Sequence, residues 1–530
     1  MKFKTIQIWV SYHILKIYFK YKDYSFRKNL NNLEEIQRKK LNLILNNSYL
    51  NTSNVSTYED FSRVCECSDY DLLSKCINEY KDGKHSISKS NLVKFELSKK
   101  SSIEIIKFIP FTELFIKELD NALAPWLASI FRKYNNLEKG TYYHYVPWLS
   151  KSQRELLKSK NIYKKKKLKN SLRTVLYNSI RAVPKNVNSA TNKNDCLFAT
   201  VCYLVADENL TLISVCSPTY IIHFTNIIEN NFEEIIDVLT FGSWGPRKNS
   251  LRNVSPPKDV VRAKFLRNNI FLKNINYNKI WPKLHLISYS YSSNTSQWVL
   301  KLHRKFPNIK FEAKGLWTTE GVITIPYDDS FILAYQSHFY EFEILTGENK
   351  GRIIPTWELK IGDIISPLIS TGNGILRYAL DDCFKVVDFK GKIPCLSFLN
   401  HRFSTNLTGE NITENLAIKL LSYLSVNDGI ALSLLAIDTY EISAPFYCVL
   451  FEGKLNKNTN VKNIDNFLKQ NLRYKLSRDI HLIGAPKILQ TSDGWETYKK
   501  LVSYKNPIDS DINIEPLKKI SINDWNKYFS

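Results

Sequence analysis

Residues 314–326 read Lys-Gly-Leu-Trp-Thr-Thr-Glu-Gly-Val-Ile-Thr-Ile-Pro, and chemistry is concentrated in their middle. Thr318 and Thr319 offer two adjacent hydroxyls, and Glu320 offers a hard carboxylate oxygen. Hydroxyls of this kind donate to phosphate oxygens. A carboxylate suits Mg²⁺, which proteins hold through one or two carboxylates plus substrate phosphates. Gly315 and Gly321 flank the triplet and permit close approach of backbone to a ligand. Taken alone, the same three residues also make an ordinary β-turn, and the case for chemistry has to come from what surrounds them.

Three further stretches carry suitable groups. Ser98-Lys-Lys-Ser-Ser-Ile103 precedes a helical pattern, and hydroxyls, lysines and a nearby helix start are groups that can bind phosphate. It lacks glycine, so a surface loop is the simpler reading of that segment by itself. Ser217 lies in the Ser-Pro turn within the stretch 210–222. Asp382 is one of two paired acids at the turn of the stretch 374–386, where its carboxylate could accept hydrogen bonds from vicinal sugar hydroxyls or cap a hairpin turn.

The elements that must position these groups follow from periodicity. Apolar residues at helical spacing predict helices over 33–45, with Glu34, Glu35, Arg38 and Lys39 outward, and over 68–77, opened by a Ser or Asp cap. A third runs on from Thr112 through Phe115, Leu119, Trp126 and Ile130, with Pro125 as a kink. The stretch 210–222 reads as a buried strand, a Ser-Pro turn and a helix, and 281–289 and 306–325 read as further strands with a helix over 298–306, an alternation that predicts an α/β sheet. Ligands of such sheets bind at the carboxyl ends of the strands, where the turns holding Ser217 and Thr318 fall. From Ile332 the pattern becomes antiparallel, and Tyr340-Glu-Phe-Glu-Ile344 alternates like a half-buried strand. After about residue 402 a polar loop at 404–410 leads to a compact α+β tail. In it the helix 414–424, the buried strand 447–452 and one helix over 463–478 are predicted.

With 530 residues the chain has room for more than one core, and 44% hydrophobic residues make it globular. No apolar run reaches the roughly 18 residues needed to cross a bilayer. The apolar start at 6–21 is broken by His13, Lys16 and Lys20 and reads as a helix, so a cytoplasmic protein without membrane partners is expected. Nine scattered cysteines, the closest pair being Cys65 and Cys67, fit no CxxC spacing and suit a reducing compartment. The net charge of +23 raises nucleic acid as a partner. Its one dense basic run, Lys164 to Lys167 with Lys169, has no interleaved aromatics and reads as a solvated helix face, so nucleic acid is not expected.

Several segments in their order and spacing resemble the Gretchen Hagen (auxin-responsive promoter) family of acyl acid-amido synthetases, bacterial type. They are Leu212-Ile-Ser-Val-Cys-Ser-Pro-Thr219, Lys314-Gly-Leu-Trp-Thr-Thr-Glu-Gly321, Phe339-Tyr-Glu-Phe342 and Gly374-Ile-Leu-Arg-Tyr378 with Asp382. In the tail Tyr447-Cys-Val-Leu-Phe-Glu452 and Asn471-Leu-Arg-Tyr-Lys-Leu-Ser-Arg478 also fit. The resemblance covers about residues 28–500. It implies an α/β, acyl-adenylate-forming (luciferase-like) fold: a large N-terminal domain with a β-barrel-like part over 1–403, and a small, mobile C-terminal α+β domain over 404–530. It also implies use of ATP and Mg²⁺ to convert a small-molecule carboxylic acid into an acyl-adenylate, which an amine or amino acid then attacks. Carried over by residue, it implies nucleotide binding by Ser98, Ser101, Ser102, Thr318, Thr319, Arg377 and Asp382, with Lys107 behind the serines and Glu320 on the metal.

The departures from the family pattern are local. Ser98-Lys-Lys-Ser-Ser-Ile103 lacks the two glycines of the family's phosphate loop, and Ala379-Leu-Asp-Asp382 lacks an arginine and a glycine. The hinge reads Asn400-His401-Arg402 where the family has Gly-Arg. Gly409-Glu410-Asn411 puts asparagine where the family offers a lysine. Only 17 glycines occur, roughly half the usual share, so part of this is general composition. Lost neutralisation of α-phosphate charge costs on the order of a hundredfold in rate unless another cation, such as Lys99, Lys100 or Lys385, supplies it. The alternative implied by these positions is an impaired relative that keeps the fold and binds a nucleotide or a partner protein.

Overall fold

The computed structural model describes all residues except 1, 50–54, 56, 101–102, 135–136, 138–139, 147, 149–153, 155–177, 272–274, 291–294, 403, 426–428, 440–442, 504–513 and 530. The expected sites Ser101 and Ser102 and the basic run at Lys164 lie outside the described residues. Two compact units emerge, the first comprising Met1–Tyr291, Leu302–Leu380 and Phe384–Ser397, the second Ser292–Lys301, Asp381–Cys383 and Phe398–Ser530.

The first unit opens with the helices Lys2–Lys28 and Leu33–Asn46. Next comes an antiparallel hairpin of β1 (Leu92–Lys100) and β2 (Ile103–Thr112), which leads into the helix Glu113–Lys133. Thr112 ends the hairpin and caps the helix by accepting from Phe115 N at 3.2 Å, as the sequence predicts. Pro125 sits inside the helix, which continues past it. The segment holding Ser98 is therefore the end of a nine-residue strand, not a loop. Without glycine, a β-branched and aromatic run on both sides zips into a ladder instead of wrapping an anion.

A four-stranded parallel sheet follows, ordered β3 (Thr141–His144), β4 (Leu210–Val215), β5 (Leu286–Tyr289) and β6 (Lys310–Ala313). Helices such as Thr219–Asn230 and Thr295–Lys305 alternate with its strands. β4 and β5 are buried throughout, as strands covered on both faces must be. The apolar run 306–325 is not one strand. It supplies β6, leaves the sheet at Lys314, and returns as β7 (Thr324–Tyr327) in a different sheet.

That second sheet is antiparallel and eight-stranded. Its main path runs β10 (Ile353–Pro355), β9 (Phe339–Ile344), β11 (Ile364–Ser370), β13 (Asp382–Lys390), β14 (Ile393–His401), β8 (Ser330–Leu333) and β7, with β12 (Tyr378–Ala379) paired to β11. The path is open, with β10 and β7 at its ends. β9 is buried on both faces, where the sequence predicts a half-buried strand. The helix Leu33–Asn46 covers its polar side: Gln37 Oε1 accepts from Tyr340 N at 2.9 Å, and Leu41 and Ile44 pack with Phe339.

The second unit holds the short pair β15 (Ser404–Thr405) and β16 (Ile412–Thr413), then the helix Glu414–Leu424. Its four-stranded sheet is ordered β19 (Lys487–Thr491), β18 (Phe446–Gly453), β17 (Gly429–Asp438) and β20 (Leu517–Ser521). Leu420, Leu421 and Leu424 meet Leu434, Tyr447 and Val449 in one hydrophobic core. The predicted helix over 463–478 is two helices, Val461–Leu468 and Leu472–Asp479. Asn471 breaks it because its side chain accepts from Arg473 N and Tyr474 N and so starts a new helix.

Candidate active site

The 314–324 corner is a closed backbone loop with most of its polar groups used internally. Trp317 and Val322 form an antiparallel bridge, Ile323 N donates to Leu316 O at 3.0 Å, and Leu316 N donates to Thr324 Oγ1 at 3.0 Å. Gly315 takes a positive φ of 81°, and a Cβ there would lie 2.2 Å from the Thr324 carbonyl oxygen, so glycine is required on both counts. At Gly321 a Cβ would come within 2.9 Å of His338 Nε2.

The two threonines differ. Thr318 N and Oγ1 both donate to Gly321 O, at 2.9 and 3.1 Å, and Thr318 Oγ1 accepts from Gly321 N at 3.2 Å. Thr318 thus ties the turn. The Thr319 hydroxyl makes no hydrogen bond to a described residue and is half-buried, which leaves it available to a ligand.

Behind the turn, His338 Nε2 accepts from Val322 N at 3.2 Å, which leaves Nδ1–H to donate to Glu118 Oε2 at 3.0 Å. Glu118 Oε2 also accepts from Gly372 N at 2.9 Å. This chain of contacts fixes the corner against the helix Glu113–Lys133 and the loop after β11.

Glu320 is buried, and its Oε1 lies 3.3 Å from Lys107 Nζ. Lys107 also donates to Tyr378 OH at 2.9 Å and lies 5.5 and 5.6 Å from the ring centroids of Tyr70 and Tyr378. The Tyr70 hydroxyl accepts from Phe108 N, so hairpin, helix and corner are clamped around one ammonium. In the hairpin register Ser98 is the backbone partner of Lys107, which brings the Ser98 position beside this pair. Glu320 Oε2 has no hydrogen-bond partner among the described residues, so one hard oxygen is left for a cation and the residue fits a Mg²⁺ ligand.

Arg377, expected among the nucleotide ligands, is not brought to the corner's hydroxyls. Its guanidinium is buried and forked onto Glu341, Nε to Oε2 at 2.9 Å and Nη2 to Oε1 at 3.0 Å. Nη1 donates to Ser62 O and Cys65 O at 3.0 and 2.6 Å. Four of the five guanidinium N–H donors are therefore used within the fold.

In the second unit Asp382 Oδ1 is 2.8 Å from His401 Nδ1. Burial pulls this imidazole down, but the hydrogen bond and charge of Asp382, with Glu414 and Glu515, more than reverse that and raise it to about 9. Asp382 thus holds an imidazolium at neutral pH. The departure at 401 supplies the charge that neutralises the expected ribose acceptor, a pairing that no local pattern signals. Asn411, at the family's lysine position, adopts a left-handed φ of 51°, a conformation in which asparagine is favoured. Glu410 is buried and accepts from Leu407 N and Thr408 N, both at 2.8 Å, which shapes the loop that presents Asn411.

Among the described residues no helix is long and apolar enough to cross a membrane. No curated protein sequence matches the chain. Two solved structures are similar over nearly their whole length. One is titled "GH3.15 acyl acid amido synthetase", with a TM-score of 0.74 and 12% identity, covering 95% of this chain and 94% of that one. The other is titled "AtGH3.15 acyl acid amido synthetase in complex with 2,4-DB", with a TM-score of 0.75 and 14% identity, covering 96% and 95%. The model of the GH3 family N-terminal domain matches residues 23–311, and that of the GH3 family central domain matches residues 331–401. The corner falls between the two matched segments, the fold is that of an acyl acid amido synthetase, and the protein belongs to the GH3 family.

Proposed function

We propose that this protein is an ATP-dependent acyl acid-amido synthetase, an amide-forming ligase whose nucleotide site is the 314–324 corner. The observation that carries this reading is a hydrogen-bonded turn that leaves the Thr319 hydroxyl and Glu320 Oε2 without partners among the described residues, beside a buried ammonium, Lys107. A site that spends its other polar groups on holding still is preorganised for charge that develops elsewhere.

In the first step a carboxylate oxygen of the acid attacks the α-phosphorus of ATP. The bond to the β-phosphate oxygen breaks, and pyrophosphate leaves with that electron pair. Thr319 donates to a phosphate oxygen, with backbone N–H groups of the turn in support. Lys107 holds Glu320 in place and offsets negative charge that the glycine-free hairpin cannot wrap. Mg²⁺, when bound through Glu320, supplies neutralisation of the pyrophosphate leaving group. In the second step the amine nitrogen attacks the acyl carbon, the carbon–oxygen bond to AMP breaks, and the amine loses a proton. In this reading Asp382 binds the ribose hydroxyls, and Ser98, Ser101 and Ser102 bind the nucleotide phosphates. The reaction takes place in the cytoplasm, and the segment 404–530 moves as a small domain between the two steps.

The test is carboxylate-dependent exchange of labelled pyrophosphate into ATP across a broad panel of acids, with a competent acyl-adenylate-forming enzyme as control. Exchange with at least one acid is expected, and none across the panel sinks the reading. One observation favours a second reading: the Asp382–His401 pair and the uncharged Asn411 suit a fold that binds nucleotide without turnover. Calorimetric titration with ATP separates the two, since binding without exchange supports the second and amide product eliminates it.

A further inference from the structure

Lys314 is a buried cation that no carboxylate among the described residues neutralises. It is 8% exposed, and its hydrogen bond is a long one, 3.4 Å from Nζ to Ser214 Oγ. Other buried cations of this unit have strong partners: Lys107 has Glu320, Arg377 has Glu341, and Arg262 donates to the carbonyls of Val205 and Ile280. Among the described residues Lys314 has no such counterpart.

The parallel sheet explains what the lysine faces. The register places His144, Ser214, Ser288 and Glu312 side by side on β3 to β6, so their side chains share one face. Lys314 follows Glu312 by two residues and keeps that face. To reach Ser214 from the end of β6 its side chain must cross β5, strands being about 4.8 Å apart, and the β5 residue of that row is Ser288. Ser288 Oγ is fully buried and makes no hydrogen bond to a described residue. An ammonium with one long bond therefore crosses the strand that carries a hydroxyl with none among the described residues, at the carboxyl ends of parallel strands. In α/β sheets that edge is where ligands bind. Each group left this way is costly in a fold unless something completes it.

We propose that Lys314, Ser214 and Ser288 form a subsite for the carboxylate of a substrate. One ammonium and two hydroxyls match a singly charged, two-oxygen group, whereas the phosphates have the corner and Lys107. Burial lowers the Lys314 ammonium to about 8, with the Cys216 thiol opposing slightly, so the cation persists at neutral pH yet lacks its counter-charge until a ligand arrives. The proposal rests on the synthetase reading, in which two carboxylates are on offer: that of the acid to be adenylated, and that of an amino acid serving as the amine.

Lys314→Met keeps the chain length and removes the charge, and Ser288→Ala removes a hydroxyl that bonds to no described residue. Both variants should fold, with Lys314→Met melting at or above the wild-type temperature. The KM for the acid is read in pyrophosphate exchange, and the KM for the amino acid in amide formation. Lys314→Met should raise one of the two by about 10- to 100-fold, as loss of a charged hydrogen bond does, with kcat within about threefold. Ser288→Ala should raise the same KM by a smaller factor. A raised acid KM assigns the subsite to the acid, and a raised amino-acid KM with unchanged exchange assigns it to the amine. Both KM values within twofold of wild type overturn the proposal, as does a loss confined to kcat. Should the wild type catalyse neither step, the synthetase reading fails on its own. The subsite is then judged by calorimetry with sodium benzoate and with glycine. Binding of either that Lys314→Met abolishes keeps it, and no binding, or binding the variant retains, overturns it.

Discussion

Lys107 Nζ lies 3.3 Å from Glu320 Oε1 across 213 residues of sequence, and the pair is buried from solvent on both sides. The ammonium comes from the hairpin that replaces a glycine-rich loop, and the carboxylate comes from the corner between two sheets. The pair thereby ties the hairpin to the corner despite its lost glycines.

Removing one partner leaves the other charged and buried. Lys107→Met should destabilise the fold by about 3–5 kcal/mol, and adding Glu320→Gln should restore part of that loss. Urea denaturation of both variants checks this. Additive losses would contradict the pairing.

The two corner threonines should separate cleanly. Thr318→Ala removes turn hydrogen bonds and should cost about 1 kcal/mol in stability. Thr319→Ala should leave the melting temperature within about a degree and cut pyrophosphate exchange by about 10- to 100-fold. Thermal melts and exchange rates on both variants decide, and equal behaviour of the two would contradict the assignment.

Arg377→Met should destabilise by about 3–5 kcal/mol, because Glu341 is then left buried without its guanidinium. The KM for ATP of the folded protein should stay within about twofold. An unchanged stability with a raised KM for ATP would return Arg377 to the nucleotide site.

The His401 imidazolium is raised above its ordinary 6.5 to about 9 by Asp382, Glu414 and Glu515 against the opposing effect of burial. Below about pH 6.5 folded and unfolded chains both carry the proton and the pair contributes fully. Its contribution falls as pH rises toward and through 9, where the folded protein loses that proton. The stability difference between wild type and His401→Asn should therefore be largest near pH 6 and shrink toward pH 9.5. A difference that stays constant over this range would contradict the pair.

Local signals were legible in the sequence where chemistry is local. Thr112, Asp69 and Thr413 cap helices that start where their types and spacing place them, each accepting from a backbone N–H of the first turn. The helix Glu414–Leu424 and the buried strand around residues 447–452 lie where their periodicity puts them. The Thr-Thr-Glu triplet likewise marks its corner. What stayed hidden depends on partners far away in the chain. Gln37 makes β9 a covered strand by hydrogen-bonding across 303 residues. Glu341 takes the arginine that a motif reading sends to the nucleotide, and His401 meets Asp382 only because β13 and β14 bring them together. Asn471 was legible as a cap in principle, but its neighbours' helical spacing masks the break.

The most direct test of the adenylation site is a rapid-quench reaction with ATP, Mg²⁺ and the acid panel, in which acyl-AMP is read by mass spectrometry in wild type and Thr319→Ala. Acyl-AMP at up to one equivalent per wild-type protein is expected, with formation at least about tenfold slower in the variant. Acyl-AMP formed equally fast by Thr319→Ala, or none formed by wild-type protein that binds ATP, would contradict it.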